Sequence, residues 1–295
     1  MSGKAGDPAA AAAGRAGHAG GLAGDDGGQL AGWELLTRSV RMQAPFLSAP
    51  PPAARGLCAA CRIPVRPGNA HCYPCGLHAE TLPGLLADVV VPICYAVKGG
   101  EHARNLWLYK SARPGAAVAG TALRALLVVF LRDHGPCVWR AAGMTRPSHL
   151  AVVPSGRGRA GPHPLRTLIG TCLSLPWAAL DLRLHDEPWT RDLDAGRFRA
   201  APLAGASIAL LDDTWTTGAS AESACAALRL AGARSVAVIV LGRHVSAPEP
   251  SASALAPGAG APGSAAACAS VNDLPAMPFR PRLCAVHAHA GENGQ

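Results

Sequence analysis

Apolar positions along the chain repeat with two different periods. Leu123, Leu126, Leu127, Phe130 and Leu131 recur at i, i+3, i+4, i+7 and i+8. That spacing predicts a buried amphipathic helix over 119–133. Leu165, Leu168, Ile169, Cys172 and Leu173 share one face of a second predicted helix, with Pro164 suited to its first turn. Val89–Val91, Leu150–Val153, Ser207–Leu211 and Ser235–Leu241 are short, nearly continuous apolar runs. Such runs predict strands covered on both faces. The alternation in "LDLRLHD" predicts an edge strand, and "GRFRA" a further short one. Residues 219–231 form an Ala-rich helical stretch ended by Gly232. Strand, helix and strand over 207–241 make a βαβ unit, so the expected class is α/β, a parallel sheet flanked by helices.

Composition limits how much of the chain can pack. Of 295 residues, 34 are Gly and 26 are Pro, and aromatics make up only 4%. Residues 1–32 are nearly all Ala, Gly and polar, and read as a disordered tail. Residues 247–270 read as a flexible Ala/Pro/Gly linker, and 271–295 as a short return segment with a loose tail. No secretory signal opens the chain. The most apolar window, 116–131, contains Arg124 and is too short to span a bilayer. The expected location is therefore cytoplasmic, with no membrane partner and with reduced cysteines.

A net charge of +8 suits nucleic acid or a phosphorylated substrate. However, Arg outnumbers Lys 24 to 3, and no run of five basic residues occurs. The codon bias of a GC-rich genome accounts for that pattern, which leaves nucleic acid as a secondary candidate partner.

Four of the ten cysteines, Cys58, Cys61, Cys72 and Cys75, follow the pattern C-x2-C-x10-C-x2-C. Each C-x2-C turn aims two thiolates at one point, and two such turns close a tetrahedral site. The expectation is a small zinc-binding module over 55–80. Four thiolates leave no open position, so the Zn2+ would be structural. His71 and His78 flank the cluster, but the four cysteines already fill the shell. The remaining cysteines are scattered and read mostly as small apolar residues.

The stretch "IALLDDTWTTGAS" (208–220) carries the other candidate chemistry. Asp212 and Asp213 end an apolar strand, where the ligand crevice of a parallel α/β sheet lies. Thr214, Thr216, Thr217, Gly218, Ala219 and Ser220 then lead into a helix N-terminus. Backbone N–H groups there, with hydroxyl donors, suit a phosphate. The carboxylates suit hydroxyl groups or a metal. A sugar phosphate offers both partners. Lys110 reads as a surface lysine, and His163 and His244 as structural residues.

The same stretch resembles the phosphoribosyl-diphosphate (PRPP) signature of type I phosphoribosyltransferases, with Trp215 where a smaller aliphatic residue is common. "RDLDAGRFRAAPLAG" resembles the segment that leads into that signature, through Phe198 and Gly205. Together with the four-cysteine cluster and "YAVKGGEHARNLWLYK" (95–110), the chain resembles the ComF family of competence-associated, phosphoribosyltransferase-like proteins. The resemblance covers about 55–245 and implies a type I phosphoribosyltransferase-like domain over 85–246. It implies that Asp212 and Asp213 bind the ribose hydroxyls and that Thr214–Ser220 wrap the 5-phosphate. It also implies that Ser155, Gly156 and Arg157 hold a pyrophosphate accompanied by Mg2+. The segment after Arg157, "GRAGPHPLRTL", departs from the family pattern. Two readings follow: a Mg2+-dependent pentosyltransferase acting with a nitrogenous acceptor, or a non-catalytic PRPP- or phosphate-binding module acting as a DNA-uptake accessory. A third is a zinc-ribbon nucleic-acid adaptor with the α/β domain as scaffold, which would need a coherent basic face.

Overall fold

A computed structural model describes residues 26–51, 56–155, 162–170, 173, 175–182, 192–246 and 277–278. The expected linker, residues 1–25 of the expected tail, and most of the return segment lie outside the described residues. Of the described residues, those up to Leu35 form one unit and those from Leu36 onward another.

The second unit is built on a six-stranded sheet. Its strands are β1 (Ser48–Ala49), β2 (Val89–Val97), β3 (His149–Val152), β6 (Ser207–Trp215), β7 (Ser235–Val245) and β8 (Met277–Pro278). The order is β3-β6-β7-β2-β1-β8. The first four run parallel, but β1 is antiparallel to β2 and to β8. The sheet is therefore mixed and mostly parallel, where a parallel one was expected. The departure comes from two very short strands at one edge. β4 (Leu180–Leu182) and β5 (Phe198–Ala200) pair separately as a two-stranded sheet, at the positions where short strands were expected.

Helices cover both faces. On one lie α3 (Glu101–Leu108), α4 (Ala116–Ala141) and α5 (Pro164–Ile169). Their apolar residues share a core with Val91, Ile239, Leu241 and Leu211. On the other lies α6 (Ala219–Leu230), whose Ala221, Ala224, Cys225 and Leu228 share a core with Ile208, Leu210, Val236 and Val238. An ion pair between Arg229 and Asp88, at 2.6 Å, and a bond from the Ala87 N–H to Glu222 tie α6 to the start of β2.

Several boundaries differ from the sequence pattern. α4 runs past the expected end at 133 and carries Pro136 inside it. An internal proline costs a helix about 3 kcal/mol. The complete burial of Val138, with Ala142 and Met144 just beyond, offsets that cost. α5 stops at Ile169 and does not reach Leu173. β6 and β7 are longer than their apolar runs, because charged and polar residues remain paired in the sheet, and β2 continues past Pro92 through Val97. The helix α1 (Asp26–Gln43) starts inside the stretch read as a tail, and its Leu36 and Val40, one turn apart, pack into the first core.

Candidate functional site

β6 remains a strand through Asp212, Asp213, Thr214 and Trp215, so the acidic pair lies within its paired end rather than beyond it. Regular pairing is interrupted in one row across three strands, at Ile93, Leu241 and Asp213. Before that row, even-numbered Leu210, Val238 and Val90 face the α6 core; after it, odd-numbered Trp215, Val245 and Tyr95 do. Such an irregularity re-aims side chains at the end of a sheet.

Asp213 is buried, at 3% exposure. Its Oδ2 accepts from the Tyr109 hydroxyl and forms an ion pair with Lys110 Nζ, both residues following α3. His163, the N-cap of α5, places Nε2 3.9 Å from the same oxygen. Its Nδ1 accepts from the Leu165 N–H at 3.2 Å. That leaves Nε2 as the protonated nitrogen facing Asp213. Lys110, read from sequence as a surface residue, is thus part of the site, and so is His163. Asp212 has a different setting. Its Oδ1 accepts from the Asp213 N–H at 2.8 Å. Burial, reinforced by the neighbouring Asp213 charge and partly offset by Lys110, pushes its carboxyl up to about 8.

α3 can deliver Tyr109 and Lys110 because β7 has Gly242 beneath it. A Cβ there would fall 2.3 Å from Leu106 Cδ1 and 2.9 Å from Ala96 Cβ. The buried His102 imidazole adds a hydrogen bond of 3.0 Å with the Leu241 carbonyl.

After Trp215, the turn Thr216-Thr217-Gly218 enters α6. Gly218 has φ +91° as its N-cap. The first N–H groups of a helix lack acceptors within it. Ala219 N–H has a long bond to the Thr217 hydroxyl, at 3.4 Å. Ser220 lies in the first turn, and Thr216 is exposed. The structure thus brings Asp212, Asp213, Thr214 and the turn 216–220 together. The Val153 N–H donates to Leu211 O at 3.0 Å, so β3 ends beside the acidic pair, and Ser155 follows two residues later. Gly156 and Arg157 lie outside the described residues.

The four cysteines form a second centre. The first knuckle is closed by Cys58 N–H to Ile63 O at 2.7 Å and Arg62 N–H to Cys58 O at 3.1 Å, with Arg62 at φ +63°. Cys72 caps α2 (Tyr73–Thr81), and Cys75 lies in its first turn. Cys58, Cys61 and Cys75 are buried. All four ligand atoms lie within 4.8 Å of one another, and Cys61 Sγ is 3.6 Å from Cys72 Sγ. Tetrahedral zinc with Zn–S bonds of about 2.3 Å separates its sulfurs by roughly 3.8 Å, so the group fits such an ion. Among the described residues it is the one cluster of metal-ligating side chains of this kind. Cys94, outside it, is buried among apolar neighbours, as expected, and Cys225 is buried in the α6 core beside the Glu222 carboxyl.

No protein-family model, curated protein or solved structure matches the chain. Among the described residues, no helix is long and apolar enough to cross a membrane.

Arg243 is the residue for which sequence reasoning had no signal. It lies on β7 between Gly242 and His244 and is 2% exposed. Its Nη1 donates to the carbonyls of Trp215, at 3.1 Å, and His244, at 2.6 Å. Its position becomes meaningful only after the interruption in the strands reverses their facing.

Proposed function

We propose that the chain is a phosphoribosyltransferase-like protein of the ComF type that binds PRPP with Mg2+ and transfers a phosphoribosyl group to or from a nitrogenous acceptor. The observation that carries this reading is the junction of an acidic pair with a hydroxyl-rich turn at a helix N-terminus, on an inner strand of a mostly parallel sheet. This is where such sheets bind ligands. The turn and the first N–H groups of α6 would take the 5-phosphate. Asp212 and Asp213 would take the ribose hydroxyls. Lys110, now paired with Asp213, supplies a cation beside the acids. Mg2+ bound with PRPP would neutralise the pyrophosphate as it leaves. The chain's own part is to hold the sugar and place fixed charges around the reacting carbon. The four cysteines would hold a structural Zn2+.

One observation favours the non-catalytic alternative. Asp213 Oδ2 is already engaged by Tyr109 and Lys110, so a sugar must displace or share those contacts. Titration calorimetry with Mg2+–PRPP, followed by pyrophosphate release with a panel of nitrogenous bases, separates the two. Binding without release supports the module. Asp213→Asn should weaken PRPP binding by about 1–3 kcal/mol, the scale of hydrogen bonds to a charged group. Absence of PRPP binding overturns the transferase reading, and absence of ribose 5-phosphate and inorganic phosphate binding as well overturns the module.

A further inference from the structure

The acidic pair and the cysteine cluster, far apart in sequence, are joined by one row of buried side chains. Trp215, Arg243 and Tyr95 are register partners across β6, β7 and β2. All three are at most 2% exposed. At one end of the row, the Trp215 indole lies against the turn: a Cβ on Gly218 would fall 2.1 Å from the ring carbon Cζ2. The Arg243 guanidinium holds the Trp215 carbonyl, the last strand carbonyl before the turn. At the other end, the Tyr95 hydroxyl donates to the Arg62 carbonyl at 2.6 Å, one residue after Cys61. Trp215 and Tyr95 share their core with Cys58, Cys61, Ile63 and Cys75. The indole and the cysteine module are thus parts of one continuous buried core.

We propose that the metal held by the four cysteines sets the shape of the Thr216–Ser220 turn through Tyr95, Arg243 and Trp215, so that metal loss weakens anion binding at that turn. Arg243 is a positioning residue in this scheme and touches no ligand. The proposal rests on the reading of the turn as a phosphate site. Physically, once the metal is lost and the thiols take up protons, nothing bridges the two knuckles and they can separate. Arg62 O then shifts, Tyr95 loses its acceptor, and the core that the indole shares with the module loosens. Anion binding by backbone N–H groups depends on their convergence, so a small displacement of Gly218 matters.

The test compares the full chain loaded with zinc, stripped by a chelator under reducing conditions, and reloaded. Ribose 5-phosphate affinity is read by calorimetry. The emission of Trp215 is read as the difference between wild type and Trp215→Phe. Stripping should weaken ribose 5-phosphate at least tenfold and shift the Trp215 emission to the red, and zinc should restore both. Arg243→Met should weaken binding similarly while the protein still carries zinc, and Arg243→Lys should recover part of it. Unchanged affinity or unmoved emission in stripped, folded protein overturns the proposal. If stripping unfolds the chain, zinc-loaded Arg243→Met with wild-type affinity overturns it instead. If loaded wild type does not bind ribose 5-phosphate, the phosphate reading fails. The coupling is then decided by the Trp215 emission alone, which supports it by shifting and overturns it by staying fixed.

Discussion

Asp212 and Asp213 are adjacent in sequence but differ in what surrounds their carboxyl groups. Asp213 faces a lysine and a tyrosine hydroxyl. Asp212 faces a backbone N–H and the charge of its neighbour, and burial pushes it up to about 8. A carboxyl whose pKa is higher folded than unfolded favours folding when protonated. Its ionisation therefore costs stability, increasingly from the unfolded value of about 3.9 up to about 8. Asp212→Asn, which mimics the protonated form, should melt above wild type by a margin that widens between pH 5 and pH 8. A constant margin would show that Asp212 does not titrate in this window. Lys110→Met should have the opposite character. It leaves Asp213 with one hydrogen-bonding partner fewer in a buried position and should cost about 1–3 kcal/mol by urea unfolding. The acids could be read from sequence because they interrupt an apolar run. The role of Lys110 could not, because its partner is a hundred residues away and local context makes any lysine after a short amphipathic helix look exposed.

At the level of elements, the site depends on how closely α3 approaches the sheet. Gly242→Ala would push the new methyl into Leu106 and Ala96. Overpacking of this kind costs about 1–3 kcal/mol. It should also move Tyr109 and Lys110 away from Asp213, so the variant should bind PRPP more weakly than its stability loss alone would suggest. Equal PRPP affinity in folded Gly242→Ala would show that α3 plays no part in the site. Gly218→Ala combines a left-handed backbone with a clash against the indole. It should abolish ribose 5-phosphate binding without changing the charge of the protein, and retained binding would remove the turn from the site. The four parallel strands and α6 were legible because their apolar runs and Ala-rich stretch are continuous, whereas β1 and β8, two residues each, leave no pattern. The reversal of facing at Ile93, Leu241 and Asp213 was not legible either. Each of those positions is compatible with regular pairing, and only the three strands together reveal the interruption.

For the molecule as a whole, the spacing of the cysteines suggested a module placed before the α/β domain. The metal-ligating geometry agrees with that spacing, but the module is not a separate body. Its cysteines and Ile63 belong to the same core as β6, β7 and α6, and Tyr95 of β2 bonds its backbone. Sequence shows ligands converging locally; it does not show which surface they cover. The consequence is a difference in how the chain should unfold. An independent zinc module would melt apart from the sheet, and its loss would leave the main transition in place. A module sharing the α6-side core should lower the stability of the whole unit when its metal is lost, since metal binding contributes directly to folding. Purified, reduced protein should carry about one Zn2+ per chain. Cys58→Ser and Cys75→Ser should reduce that content and shift a single calorimetric transition to lower temperature. Two transitions, with only the smaller one sensitive to the cysteine change, would show instead that the shared core does not couple the module to the sheet.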